Sequence, residues 1–306
     1  MSMDHISIVL VHYNAETDTV RCLESLRKLK ATHFKYQIIV VDNASKQPFV
    51  APKHVSSLPL EILRSETNLG FTGGNNLGIQ HAIQNYQSSY VLLLNNDTII
   101  SPNFLEILHQ EIKKDPKIGM INPLIYFTSG REFHIDSYLP SDRGKVIWFA
   151  GGTIDWLNLD AFHRGIDELD HGQFTEVSDT DFATGCCLLL SRKVLELVGP
   201  LDDRYFLYLE DVDWSLRVKL QGFSLKVCPA AKIWHTNAGS TGGAGSAMHQ
   251  YYQTRNRLWL CWRYGTWRTR LTVLRLGWQF LLAGTKYERK GVMDLITGAL
   301  GKQAVV

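Results

Sequence analysis

The chain has 306 residues, 45% of them apolar and 20% charged, which fits one large globular core or a domain with an appendage. Its five cysteines (Cys22, Cys186, Cys187, Cys228 and Cys261) are odd in number and scattered, which excludes a disulfide framework, and no Cys-x-x-Cys pair suggests structural zinc. The net charge of +2 conceals a split. From His249 to Val306 ten Lys and Arg face two acidic residues, a net +8, so the remainder carries −6. The N-terminus runs straight into an apolar strand without a basic, then apolar, leader, and no apolar run reaches the ~18 residues of a membrane span. A reducing, cytoplasmic setting is expected.

Ile6–Val11 is nearly continuous β-branched and apolar sequence and reads as a strand buried on both faces. Thr19–Leu29 carries Val20, Leu23, Leu26 and Leu29 at helical spacing. Ile38–Val41 is a second buried strand ending at Asp42, and Pro59–Leu63 a short third. Asn68–Gly78 is dense in glycine and reads as a turn, leading into a helix from Ile79 to Tyr86. Tyr90–Leu94 is the next strand and ends at Asn95-Asn96-Asp97; Pro102 then opens a helix. From Gly119 to Asp179 the periodicity weakens, which predicts loops and extended excursions. Phe182–Leu190 reads as a strand, Ser191 starts a helix that Gly199 stops, and Glu210–Leu220 is a helix closed by Gly222. Ser224–Cys228 and Ala231–Trp234 read as two short strands around Pro229, the second ending at His235. Gly239–Gly245 reads as a loop.

Alternating strands and helices predict the α/β class, with a mostly parallel nucleotide-binding sheet flanked by helices. Tyr13-Asn14, Asp42 and Asp97 then stand at carboxyl ends of strands, where open α/β sheets bind ligands.

Four features carry chemistry. Asp97 can bind a divalent cation that bridges to phosphates, or can serve as a turn or cap. Glu210, Asp211 and Asp213 crowd three carboxylates ahead of one helix, and such a cluster supplies a general base or simply a negative helix N-terminus. His235, at a strand end, suits a metal or phosphate, or an ordinary hydrogen bond. Asn68–Asn76 can bring amides to a diphosphate, but it lacks the Gly-Lys-Ser/Thr of a Walker loop and the spacing of a dinucleotide fingerprint.

Together, Ile8–Asn14, Ile39–Ser45, Asn68–Gly78, Val91–Thr98, Thr184–Val194, Tyr205–Gly222 and Ala230–His235 resemble family 2 glycosyltransferases of the inverting GT-A fold. The similarity is greatest to bacterial rhamnosyltransferase-like and galactofuranosyltransferase-like members and covers roughly residues 5 to 260. With the charge split, this predicts a catalytic domain over residues 1–248 and a helical, basic and aromatic extension over 249–306. The resemblance implies that Tyr13, Asn14, Asp42, Asn68, Gly70, Gly74, Asn75 and Asn96 shape the nucleotide pocket. Asn95-Asn96-Asp97 would occupy the family's Asp-x-Asp place, departing from it at Asn95 and leaving Asp97 as the main carboxylate for Mg²⁺ or Mn²⁺, with His235 as a further ligand. Asp211 would be the catalytic base beside Glu210, and Asp213, Trp214 and Arg217 would contact or support the substrate site.

The implied donor is a nucleotide-diphosphate sugar, dTDP-rhamnose first and a UDP-sugar next. The implied acceptor is a hydroxyl of a growing surface glycan, free or lipid-linked. A metal-dependent sugar-phosphate nucleotidyltransferase is the competing enzyme, disfavoured because an N-terminal glycine-rich pyrophosphate loop is absent. The basic tail could be read as binding nucleic acid, but no recognition module accompanies it, so no nucleic-acid partner is expected. Its aromatic and arginine content suits either peripheral contact with the inner face of an anionic cell membrane, or internal packing and a homodimer interface.

Overall fold

A computed structural model describes residues 3–158, 160–237 and 245–305. The chain runs through β1 (Asp4–His12), α1 (Glu16–Leu26), β2 (Phe34–Asp42), β3 (Leu60–Arg64), α2 (Gly70–Tyr86), β4 (Tyr90–Leu94), β5 (Thr98–Ile100) and α3 (Phe104–Ile112). Then come β6 (Ile118–Phe127), β7 (Ile147–Phe149), β8 (Gly152–Asp155), β9 (Asp160–His163), β10 (Ser178–Asp179), β11 (Cys187–Ser191), α4 (Arg192–Val198), α5 (Glu210–Leu220) and β12 (Ser224–His235). Three helices close the chain: α6 (Ala247–Tyr264), α7 (Trp267–Ala283) and α8 (Lys286–Thr297).

Alternate residues of β1 leave the sheet on opposite sides, and each side meets its own helices. Ile6, Ile8 and Leu10 join Leu23 and Leu26 of α1 and Phe104, Leu105 and Leu108 of α3. Val9, with Ile39 and Val41 of β2, joins Ile79 and Ala82 of α2 and Trp214 and Val218 of α5. The result is the three-layer α/β arrangement of the GT-A fold, with a mixed, mostly parallel sheet ordered β10-β12-β6-β11-β4-β1-β2-β3. β3, β2, β1 and β4 are parallel, β6 pairs β12 in parallel, and antiparallel β11 lies between the two blocks. Because β11 runs against β4, the loop before Cys187 sits at the same sheet edge as the end of β4, where Cys187 pairs Leu94.

Four sequence expectations change. The glycine-rich segment is not a turn but the first two turns of α2. Glycines there let the helix lie directly on β1: a Cβ at Gly78 would fall 2.3 Å from Val9 Cγ1, and one at Gly74 2.9 Å from Val11 Cγ1. The stretch after Gly119 is not all loop, since β6 is a ten-residue central strand buried throughout. Asn122 and Pro123 break its apolar run, and the Asn122 amide is accommodated by donating to the carbonyls of Thr184 and Cys187, at 2.9 and 2.7 Å. The two short strands around Pro229 are one strand, β12, whose register shifts between Cys228 and Lys232, as proline requires of a strand that cannot donate at that point. Residues 182–186 precede β11 as a loop rather than extending it. Most of the expected Gly239–Gly245 loop lies outside the described residues.

Among the described residues no helix is long and apolar enough to cross a membrane. All five cysteines are buried free thiols.

Candidate active site

The ends of β1 and β4, the loop before β11, the start of α5 and the end of β12 converge on one cleft of about 640 Å³, within the size range of small-ligand sites. Its lining includes Tyr13, Asn68, Gly70, Asn75, Asn96, Asp97, Glu210, Asp211 and His235. A larger groove of about 970 Å³ lies beyond Asn68 and Phe206. Its lining is largely leucine, isoleucine and amide side chains, whereas Asp97, His235, Glu210 and Asp211 all line the smaller cleft.

On one wall, Asp97 follows β4 and His235 ends β12. Pairing of β5 with β12 brings Thr98 opposite His235, so His235 Nε2 lies 3.0 Å from Asp97 Oδ1. The Asn95 amide lies 3.5 Å from the same nitrogen. The imidazole is buried, and its Nδ1 has no hydrogen-bond partner. Burial alone would lower the His235 pKa, but the Asp97 carboxylate and Cys186 hold it well above the ordinary value. Trp148 of β7 packs edge-on to His235 at 4.5 Å and to His163 of β9 at 4.3 Å. Burial takes the His163 pKa down to about 4.

Into the same cleft, α5 presents Glu210 and Asp211 in its first turn, where the helix dipole favours negative charge. Asp211 is held at both oxygens: the Gly185 amide donates to Oδ2 at 3.0 Å and the Val212 amide to Oδ1 at 2.9 Å. Gly185 permits this close approach, since a Cβ there would meet the Phe71 ring at 2.9 Å. Burial raises the Asp211 pKa, and burial with the neighbouring Asp211 charge raises that of Glu210 well above the usual carboxylate range. Glu210 Oε2 is buried with no hydrogen-bond partner.

The backbone leading into α5 is strained. Phe206, Tyr208 and Leu209 all have positive φ, at 64°, 69° and 67°, each costing of order 1–3 kcal/mol outside glycine. Two neighbours on α6 hold this loop. The Asn256 amide donates to the carbonyls of Tyr205, Leu207 and Tyr208 at 3.1, 2.8 and 2.9 Å. The fully buried Arg255 donates to the carbonyls of Arg204 and Tyr205, both at 3.0 Å.

Six residues expected at the site do not line the cleft. Asp42 is buried, accepting from the Ser45 and Phe49 amides at 3.0 Å each and from Arg64. Burial would raise its pKa, but these amides and the Arg64 guanidinium lower it. Asn14 turns its side chain to the Lys46 amide at 2.8 Å, and Gly74 faces Val11. Asp213 is fully buried and bound by Arg217 at 2.9 Å, Arg263 at 2.6 Å and the Tyr264 hydroxyl at 2.8 Å. Arg217 also donates to the Val198 and Pro200 carbonyls, and Trp214 Nε1 donates to the Gly199 carbonyl. These last three brace the back of α5 rather than meeting a substrate.

The structure adds residues that the sequence reading omitted. Asn43 donates to the Gly70 carbonyl at 2.9 Å and to Asn68 Oδ1 at 3.2 Å, and accepts from the Leu69 amide at 2.9 Å, which sets the entry to α2. Its signal was available, as it follows Asp42 at a strand end. Thr184 and Gly185 lay in a segment that carried the family resemblance but without a role of their own, and Trp148 and His163 lie where periodicity was lost.

Residues 7–199 match the sequence profile of Glycosyl transferase family 2. Over 275 residues the chain is 26% identical to N-acetylglucosaminyl-diphospho-decaprenol L-rhamnosyltransferase of Mycobacterium tuberculosis, covering 86% of each chain. Over 255 residues it is 24% identical to the low-salt glycan biosynthesis hexosyltransferase Agl10 of Haloferax volcanii, covering 83% of this chain and 75% of that one. Among solved structures it resembles GalNAc-T7 crystallised with UDP, GalNAc and Mn²⁺, with a TM-score of 0.62 at 17% identity; the match covers 97% of this chain and 55% of that one. It also resembles the mannosyltransferase PcManGT of Pyrobaculum calidifontis in complex with GDP-Man and Mn²⁺, with a TM-score of 0.53 at 13% identity, covering 96% of this chain and 74% of that one. The profile match spans well over half the chain and the architecture is that of GT-A enzymes, so this chain belongs to glycosyltransferase family 2.

Proposed function

We propose that the protein is an inverting glycosyltransferase that moves a sugar from a nucleotide-diphosphate donor to a hydroxyl of a glycan acceptor, with rhamnose from dTDP-rhamnose as the leading donor. The observation that carries this reading is the convergence on one cleft of the Asp97–His235 pair and the Glu210–Asp211 carboxylates. The rhamnosyltransferase and hexosyltransferase relatives support the kind of reaction.

The Asp97–His235 pair fits a divalent cation. Carboxylate and imidazole converge at 3.0 Å, although no group of three or more His, Cys, Asp or Glu residues surrounds them among the described residues. Two protein ligands suit Mg²⁺ or Mn²⁺, which take further oxygens from water and phosphate. Such an ion would supply positive charge for the diphosphate oxygens of the donor. Both structural relatives were crystallised with Mn²⁺.

Asp211 takes the proton of the acceptor hydroxyl as its oxygen attacks the anomeric carbon. The bond from that carbon to the departing diphosphate oxygen breaks on the opposite face, so the carbon inverts and no covalent sugar–enzyme intermediate forms. The Gly185 and Val212 amides fix the carboxylate for this role, while Glu210, whose pKa burial and the Asp211 charge raise, can in its protonated form donate a hydrogen bond to a sugar hydroxyl. Tyr13, Asn75 and Asn96 form the donor side of the cleft.

Calorimetry with a panel of nucleotide sugars in the presence of Mg²⁺ or Mn²⁺ tests the reading. Saturable binding of a deoxythymidine or uridine diphosphate sugar is expected. Pyrophosphate release from a sugar 1-phosphate and a nucleoside triphosphate, with no transfer from any nucleotide sugar, would replace this reading with nucleotidyl transfer.

A further inference from the structure

The basic extension divides sharply between arginines that the fold consumes and arginines that it displays. Arg255 is fully buried, and Arg263 is tied to Asp202 and Asp213, so neither is available to an external anion. Helix α7 behaves differently. Its inner side, through Val273, Leu276 and Phe280, packs on Leu258 and Cys261 of α6 and Val292 of α8. Its outer side is also apolar: Trp267, Leu271, Leu274, Trp278 and Leu282 are 54–74% exposed. At 100° per residue these five fall in one stripe along the helix. Arg268 and Arg275 flank it on one side and Arg270 on the other, and no acidic residue occurs between Trp267 and Ala283.

We propose that this face of α7 is a docking surface for the interface of an anionic phospholipid bilayer, with the helix lying in the plane of the membrane. Seventeen residues make a helix about 25 Å long. An apolar stripe of that length, ringed by tryptophan and edged by arginine, matches an interfacial helix whose rings enter the headgroup region and whose guanidinium groups reach lipid phosphates. Charge decides between lipid and a second copy of the chain. A two-fold contact through this stripe would set arginine against arginine with no carboxylate on the helix to offset them, whereas an anionic bilayer neutralises all three. The inference is independent of the transferase reading, because docking needs neither donor nor acceptor.

Flotation tests it, using the full chain with phosphatidylcholine vesicles with and without phosphatidylglycerol, at low and high salt. The protein should float with the anionic vesicles and be released as salt rises. Replacing Arg268, Arg270 and Arg275 by Gln should lower partitioning about a hundredfold at low salt, on the basis of roughly 1 kcal/mol per basic residue. Replacing Trp267, Leu271 and Trp278 by Ser should abolish binding while leaving the circular dichroism spectrum and turnover of a water-soluble acceptor unchanged, since these side chains already face solvent. Failure to float with anionic vesicles at low salt overturns the proposal. So does flotation unaffected by both triple variants, which would locate the lipid contact elsewhere. A solution dimer that the Trp267/Leu271/Trp278 variant disperses, without flotation of the parent, assigns the face to self-association and likewise overturns it.

Discussion

Asn256, on α6, donates its side-chain amide to the carbonyl of Tyr208 at 2.9 Å, two residues ahead of Glu210. With its bonds to Tyr205 and Leu207, one amide thus spans the strained loop that delivers the acidic pair. Relaxation of that loop would release strain of order 1–3 kcal/mol per left-handed residue, so the loop needs a restraint. Asn256→Ala should lower kcat about 10- to 100-fold with a smaller change in donor KM, because the donor wall of the cleft is untouched. Asn256→Asp should be no milder, since a carboxylate cannot donate to three carbonyls. Unchanged kcat with only a lower Tm would make Asn256 purely structural.

Asp97→Ala should remove most of the metal-dependent gain in donor affinity, and His235→Ala should do so more mildly. Calorimetric titration of donor at fixed Mn²⁺ measures both. Equal affinity in wild type and the two variants would argue against a cation between these residues.

The raised pKa values of Glu210 and Asp211 set two pH dependences. A base acts when deprotonated, so kcat/KM should fall on the acid side at a pH above the ordinary carboxylate range, and Glu210→Gln should retain that acid limb. An acid limb no higher than the ordinary carboxylate range would contradict the burial of the base. Stability follows linkage. A carboxyl whose folded pKa is raised contributes fully below its unfolded pKa and loses that contribution as pH rises through the folded value. Glutamine does not titrate, so the Tm of Glu210→Gln relative to wild type should climb as pH rises above the ordinary carboxylate range. A constant difference would mean that Glu210 is not held protonated.

Arg263→Ala should destabilise the fold by about 2–4 kcal/mol, because Asp213 is fully buried and would keep only Arg217 as a cationic partner. Urea denaturation measures it. A loss below about 0.5 kcal/mol would show that the pair is solvated.

Much of the first half of the fold was legible in sequence because β1, the second half of β2 and β4 are buried on both faces and announce themselves as apolar runs. The elements that eluded it have local causes. β6 carries Asn122 and Pro123 inside a wholly buried strand, and only the Thr184 and Cys187 carbonyls across the sheet explain the amide. α2 begins with glycines that read as a turn, because the closeness of Val9 and Val11 is a tertiary fact. At the cleft, Asp97, Glu210, Asp211 and His235 stood out as polar groups at element ends. Asp213 stood out by the same signal, yet the helix turns it inward to Arg217 and Arg263. The role of Arg255 and Asn256 in holding the Tyr205–Leu209 loop depends on contacts about fifty residues apart and left no local mark.

The central claim is that Asp211 is the base of an inverting transfer, and the Asp211→Asn variant tests it most directly. The substitution keeps the side chain's shape and removes its proton affinity. With donor affinity measured by calorimetry and turnover by release of the nucleoside diphosphate, kcat should fall about 10²- to 10⁴-fold while donor affinity stays within about twofold of wild type. Near wild-type turnover of Asp211→Asn would contradict the account.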